Sequence, residues 1–152
     1  MCAGHEKEFT VAILKKKDLP DVIRVWKAAG LCIRPEGRDN LPELERQIGE
    51  KNVFFLGAYA RGDSSLIGVA LITHDSRKGW INRLAVLPEY RRKGVASMLI
   101  RKAEQLLEDN GIYVWCAQIE EWNTASMELF RKNGYIEKRD IIYFTKRKSE
   151  DM

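Results

Sequence analysis

Residues 80–111 do most to narrow what this chain can become. Trp80 to Leu87 reads as a strand, and the run stops at Pro88. A short basic turn, Arg91-Arg92-Lys93, leads to Gly94. From there Val95, Met98, Leu99, Ala103, Leu106 and Leu107 recur on one helical face until Asn110-Gly111. A strand that feeds a long amphipathic helix through so tight a turn belongs to a layered fold, with a sheet covered by helices. The mouth of such a helix carries unpaired N–H groups and partial positive charge, so it accepts phosphate readily. Gly94 and Ala96 keep bulk away from that mouth, and three bases stand where phosphates would arrive. A phosphate-bearing ligand accounts for these residues; a solvated basic turn capping a helix accounts for them too.

The rest of the chain extends the same architecture. A first strand is expected over residues 8–16, then a helix with Asp18 as N-cap, Pro20 in its first turn and Gly30 at its end. Leu31 to Asn40 reads as a loop, and Leu41, Leu44 and Ile48 mark a second short helix. Val53–Ala60 and Leu66–Thr73 are apolar, β-branched and aromatic runs joined as a hairpin by residues 61–65. After the long helix come a strand over Ile112–Ile119, a helix from Asn123 to Lys132, and a last strand over Tyr135–Thr145. The expected fold is α/β (α+β): a mixed, mostly antiparallel sheet of about six to seven strands with about four helices, in one domain over 1–152. Residues 1–7 and 147–152 are expected to be flexible.

Composition excludes several classes. An apolar fraction of 45% and a charged fraction of 32% with both signs interspersed fit neither a disordered tail nor a membrane protein. No run reaches the ~18 apolar residues of a membrane span, and the polar start lacks a signal-peptide core, so a cytoplasmic location is expected. Cys2, Cys32 and Cys116 are odd in number and far apart, as reduced thiols are; His5 and His74 are isolated, so no metal site is expected. The net charge of +4 conceals separated blocks. Residues 91–102 hold five bases and no acid, 103–130 hold six acids and no base, and 131–148 hold seven bases against two acids. Because the first basic block sits on the proposed phosphate mouth, its polyanion is a phosphate-bearing cofactor rather than nucleic acid. Aromatic residues interleaved on a basic face are also lacking.

The pattern Arg91-x-x-Gly94-x-Ala96 resembles the Q/R-x-x-G-x-G/A signature of the GCN5-related N-acetyltransferase (GNAT) superfamily. Leu84-Ala85-Val86 before Pro88 is similar to the family's fourth strand. Asn123, with Leu129-Phe130 and Asn133-Gly134-Tyr135, is similar to its N…LY…GF block. The resemblance covers nearly the whole chain and implies acetyl-CoA as co-substrate, no metal, and a sheet splayed between strands 4 and 5. It implies that Leu84 and Val86 offer backbone groups to the pantetheine arm while Ala85 faces the other way. Arg91, Arg92, Lys93, Gly94, Val95, Ala96 and Ser97 would wrap the pyrophosphate, and Asn123 would hydrogen-bond the pantetheine. Bland readings stand beside these: Asn123 is also a good helix N-cap, and Leu84 and Val86 are ordinary core residues.

The chain departs from the family where chemistry is concerned. The tyrosine that protonates the leaving thiolate in many relatives is Phe130 here, and a usual base position holds Gln118. Trp80-Ile81-Asn82 supplies no carboxylate either. Glu120 and Glu121, at the expected acceptor mouth, could serve as base, as could Glu36 and Asp39 in the loop between the first two helices. Tyr143 could donate to sulfur if its strand face points inward. Cys116 reads as a buried strand thiol rather than a covalent acetyl carrier. Among Trp26, Trp80, Trp115 and Trp122, at least two are expected in the core. The expectation is therefore an acetyl-CoA-dependent N-acetyltransferase acting on a primary amine, with Glu120 and Glu121 favouring a cationic one. Relatives often dimerise, so a homodimer is admitted. The alternative is a non-catalytic acyl-CoA sensor that kept the cleft and lost turnover.

Overall fold

A computed structural model of the chain describes residues 8–152, so Cys2 and His5 lie outside the described residues. Five strands form one mixed sheet in sequence order: β1 (Phe9–Ile13), β2 (Val53–Ala60), β3 (Leu66–His74), β4 (Gly79–Val86) and β5 (Trp115–Cys116). The first four pair antiparallel, and β5 joins β4 in parallel. Four helices accompany them: α1 (Leu19–Ala28), α2 (Leu41–Ile48), α3 (Val95–Asp109) and α4 (Thr124–Lys132). None is long and apolar enough to cross a membrane.

Strand β3 is the middle of the fold. Its residues Leu66 to Ala70 are buried in succession, which requires cover on both faces, and α1 and α3 both pack against it. Trp26, Phe55, Ile72, Leu99 and Leu107 are among the fully buried side chains. At roughly 1.5–3 kcal/mol for each large apolar side chain removed from water, this cluster dominates the folding free energy. Gly79 has no side chain because Leu107 of α3 lies where a Cβ would stand, so α3 rests directly on the start of β4.

The expected order of elements is present, and several boundaries differ. Strand β1 ends at Ile13, although Leu14 still donates its N–H to Phe55 O at 2.7 Å. Asp18 does not cap α1: its own backbone is already helical, and its carboxylate accepts the Lys15 N–H at 2.8 Å. Asn40 and Asn123 do cap, accepting from Glu43 N (2.9 Å) and Ser126 N (3.1 Å). The strand expected over Ile112–Ile119 contracts to Trp115–Cys116, because after Trp80 the parallel partners part and residues 117–120 have no ladder to join. The strand expected over Tyr135–Thr145 is not in the sheet; past the half-buried Tyr135 the stretch runs exposed to solvent. Among the described residues the sheet therefore has five strands rather than six or seven.

Candidate functional site

The site is built where β4 loses its second neighbour. Strand β4 pairs with β5 only through Gly79–Trp115 and Trp80–Cys116, so from Ile81 to Val86 its edge on that side has no strand partner among the described residues. A bulge falls in this stretch: the register with β3 steps from Val69–Ala85 to Leu71–Asn82, and Arg83 takes a left-handed φ of 50°. The chain then passes Pro88–Tyr90, a single 3₁₀ turn, into the turn of residues 91–94.

Gly94 opens α3 at φ 82°, and a Cβ built there would meet no atom within 4 Å. No side chain caps this helix, and its first internal bond is donated by Met98 N to Gly94 O at 3.1 Å. The N–H groups of Val95, Ala96 and Ser97 therefore have no partner within the helix, and the helix start carries partial positive charge. Arg92 and Lys93 stand exposed beside it, Lys93 Nζ lying 5.6 Å above the Tyr90 ring. Such a helix start, with two exposed bases beside it, could hold a phosphate group.

Arg91 is committed elsewhere. Its Nε donates to Val86 O at 3.2 Å and its Nη2 to Ala29 O at 3.1 Å, so the side chain ties the turn to β4 and to the end of α1. Val86 thus has its carbonyl already engaged. Leu84 is half-buried, and Ala85 is buried against Val69 in the β3 register. The Ser97 hydroxyl accepts from Asn133 Nδ2 at 3.2 Å, linking the mouth of α3 to the end of α4. Asn123 uses its oxygen to cap α4, which leaves its NH2 group as the available donor.

The proposed acid–base groups are less converged. Phe130 is buried edge-on against Tyr135, with centroids 5.0 Å apart, as a core ring. Gln118, Glu120 and Glu121 are all exposed on the run after β5. Tyr143, a donor only if its strand face points inward, lies in a segment outside the sheet and is exposed, so the structure does not bring it to the cleft. Asp39 is not a free base: its carboxylate holds Arg83 and the Arg34 N–H. Glu36 is exposed in the same loop, beside a cavity of about 150 Å³ that it lines with Arg34, Glu150 and Asp151. Burial raises the Cys116 thiol above its ordinary range, as suits a strand thiol rather than a nucleophile. Trp26 is core, Trp115 donates to Ile112 O at 3.0 Å, and Trp122 is exposed.

Two links escaped sequence reasoning. Arg83 and Asp39 are 44 residues apart and meet where Arg83 sits in the β4 bulge. Tyr135 OH donates to Glu104 Oε2 at 3.1 Å, joining α4's exit to α3. Burial raises the Tyr135 hydroxyl far above its ordinary range, so it stays a donor, and burial likewise raises the Glu104 carboxyl. Periodicity marks Glu104 only as a helical position near the apolar face; nothing in its spacing names Tyr135 as partner.

A profile described as the acetyltransferase (GNAT) family matches residues 21–135. Solved structures are similar over most of the chain. One is an aminoglycoside acetyltransferase from an uncultured soil metagenomic sample in complex with sisomicin: 16% identity, 95% of this chain and 99% of that one, TM-score 0.77. Another is an aminoglycoside N-acetyltransferase in complex with CoA, at 20% identity, 91% and 95% coverage, TM-score 0.75. A third is the PaiA N-acetyltransferase of Thermoplasma acidophilum in complex with coenzyme A, at 22% identity, 82% and 87% coverage, TM-score 0.69. At these identities the likeness to solved structures establishes the fold.

Proposed function

This chain belongs to the acetyltransferase (GNAT) family, and from that premise we propose that it is an acetyl-CoA-dependent N-acetyltransferase whose acceptor is a primary amine, attacking directly in a ternary complex. The observation that carries the reading is the uncapped mouth of α3, opened by Gly94 and flanked by Arg92 and Lys93, directly after a β4 edge left without a partner. Two relatives of the same fold were solved with coenzyme A. In this assignment the N–H groups of Val95, Ala96 and Ser97 hold the pyrophosphate, with Arg92 and Lys93 adding charge. Leu84 presents backbone to the pantetheine arm and Asn123 donates its NH2 group to it, while Val86, its carbonyl held by Arg91, keeps its N–H for the thioester oxygen. Arg91 acts as a strut that shapes the turn rather than as a phosphate ligand, since both its bonds go to backbone carbonyls.

Acetyl-CoA supplies an activated acyl group whose leaving thiolate is stable. This chain's part is to hold the thioester beside the amine and to stabilise the oxyanion with the Val86 N–H. A lysine-like amine with a pKa of ~10.4 must lose a proton first, at a cost of about 4.6 kcal/mol at pH 7. Glu120 and Glu121, after β5, attract a cationic amine and can relay that proton to water. Aminoglycosides, polyamine-like small molecules, peptide N-termini and lysine side chains are the acceptors to test; relatives of this fold act on aminoglycosides by name. A thermal shift with acetyl-CoA, followed by thiol release in the presence of that panel, tests the reading. Absence of a shift at millimolar acetyl-CoA rejects it. Binding without thiol release on a broad panel favours the second reading, a non-catalytic acyl-CoA sensor, which the buried Phe130 in place of a proton donor supports.

A further inference from the structure

Asn133, the residue that closes α4, has its amide held in one orientation. Its Nδ2 donates to Leu129 O at 2.9 Å and to Ser97 Oγ at 3.2 Å. A carbonyl accepts and cannot donate, so the amide nitrogen rather than its oxygen faces Leu129, and the second hydrogen of that nitrogen is the one directed at Ser97. Ser97 is thereby fixed as the acceptor of the pair, and its own proton has to point elsewhere. A helical serine often returns that proton to the carbonyl four residues back, which here is Lys93. Among the described residues, however, the Ser97 hydroxyl donates to nothing. Ser97 is the third residue of α3, and helical side chains lean toward the helix N-terminus. The hydroxyl therefore lies over the first turn, where the N–H groups of Val95, Ala96 and Ser97 are also unpaired. Both Ser97 and Asn133 are half-buried.

We propose that Asn133 is a positioning residue for phosphate binding: it occupies a lone pair of Ser97 and so presents the hydroxyl proton to a phosphate oxygen at the mouth of α3, a role that rests on that mouth being the pyrophosphate site of acetyl-CoA. A phosphate oxygen only accepts, so a hydroxyl contributes there only as a donor, and hydrogen bonds to ionised groups are roughly twice as strong as neutral ones. Without Asn133 the proton is free to turn back to the Lys93 carbonyl or toward α4. The same helix serves two parts of the cofactor. Helix α4 is nine residues long; Asn123 at its start is assigned to the pantetheine arm, and Asn133 at its end acts on the phosphates. A second bond between the same two elements, from Tyr135 OH to Glu104 at 3.1 Å, lies about two turns further along α3 and does not involve Ser97. Docking of α4 on α3 and orientation of Ser97 are therefore separable.

Titration calorimetry with acetyl-CoA, paired with NMR titration of S-acetyl-pantetheine, which carries the thioester arm without phosphates, tests the assignment. Ser97→Ala is expected to raise the dissociation constant for acetyl-CoA about tenfold and Asn133→Ala about fivefold, with the double variant no weaker than Ser97→Ala alone. Asn133→Asp, which keeps the shape should the alanine variant not fold, takes the Ser97 proton for itself and is expected to bind acetyl-CoA more weakly than Asn133→Ala. All of these variants are expected to bind S-acetyl-pantetheine as the wild type does, and Tyr135→Phe to bind both ligands unchanged. Losses that add in the double variant overturn the proposal, as do Asn133 variants that bind acetyl-CoA as the wild type does. Equal weakening on S-acetyl-pantetheine also overturns it, because α4 as a whole has then shifted. A wild type that does not bind acetyl-CoA rejects the pyrophosphate site itself, whereas a wild type that binds, with variants unaffected, rejects only the role of Asn133.

Discussion

The Arg83 guanidinium meets the Asp39 carboxylate at 2.7 Å, with side chains only 16% and 5% exposed. Arg83 also donates to Cys32 O at 2.6 Å and lies 5.5 Å over the Trp26 ring, whose Nε1 donates to Arg83 O. The bulge in β4 that frees an edge for a ligand is thus clamped, through one side chain, to α1 and to the loop before α2. Burial lowers the Arg83 pKa and Asp39 counters it, the pattern of a charge held by its partner.

Removing that partner leaves a half-buried cation and an unpaired Arg34 N–H. Asp39→Ala is expected to cost about 3 kcal/mol of unfolding free energy by urea denaturation. Asp39→Asn keeps an acceptor for both donors and is expected to cost about 1 kcal/mol. Equal losses for the two variants would mean that the carboxylate's charge carries the whole effect and that the retained acceptor and shape contribute nothing.

A second expectation separates backbone strain from ligand binding. Gly94 and Gly62 have φ values of 82° and 78°, and a Cβ at either would meet nothing within 4 Å. Alanine at either position is therefore expected to cost about 1 kcal/mol of stability by the same strain. Only Gly94→Ala puts a methyl group at the mouth of α3. Its dissociation constant for acetyl-CoA by titration calorimetry is expected to rise at least tenfold, while Gly62→Ala binds as wild type does. Equal affinities would move the phosphate site away from α3.

Cysteine chemistry gives a third. Cys32 is exposed, whereas Cys116 is half-buried in β5 with its thiol raised by burial. Alkylation with iodoacetamide at mildly alkaline pH, followed by peptide mass spectrometry, is expected to modify Cys32 about ten times faster, because thiolate and access control the rate. Cys116→Ser is expected to leave any acetyl transfer unchanged. Faster labelling of Cys116, or loss of turnover in the serine variant, would restore a covalent intermediate.

Much of this was legible in the chain itself, for reasons that differ by element. The α3 mouth could be read because local signals agree there: a proline stop, three bases, a glycine that alone takes φ 82° without penalty, and then helical periodicity. The family resemblance and the α+β architecture followed from the same local signals. What could not be read depended on contacts distant in sequence. Asp18 has the residue type of a cap, yet the Lys15 N–H takes its carboxylate one turn early. Asp39 reads as a surface acid until a bulge brings Arg83 to it. Arg91 matches the phosphate signature, yet the carbonyls of Val86 and Ala29 take its guanidinium. Residues 141–144 have the composition of a central strand, yet they stand exposed outside the sheet.

The last expectation concerns pH. Glu104 sits on α3 beside Arg101, with the Tyr135 hydroxyl donating to it, and burial is the largest influence, raising its pKa above the ordinary carboxyl value. A carboxyl whose folded pKa exceeds its unfolded one binds more protons in the folded state, so its ionisation opposes folding. The penalty is absent below the unfolded pKa of about 4.3 and grows as pH rises through the folded value. Glu104→Gln keeps an acceptor for Tyr135 and removes the charge. The variant and wild type are therefore expected to have matching urea midpoints near pH 4, with the variant gaining steadily by pH 7.5. Tyr135→Phe, which removes the donor that steadies the ionised form, is expected to widen that gap for wild-type Glu104. A wild type that instead gains on the glutamine variant as pH rises would show that attraction to Arg101 outweighs burial, and would reverse the assigned sign.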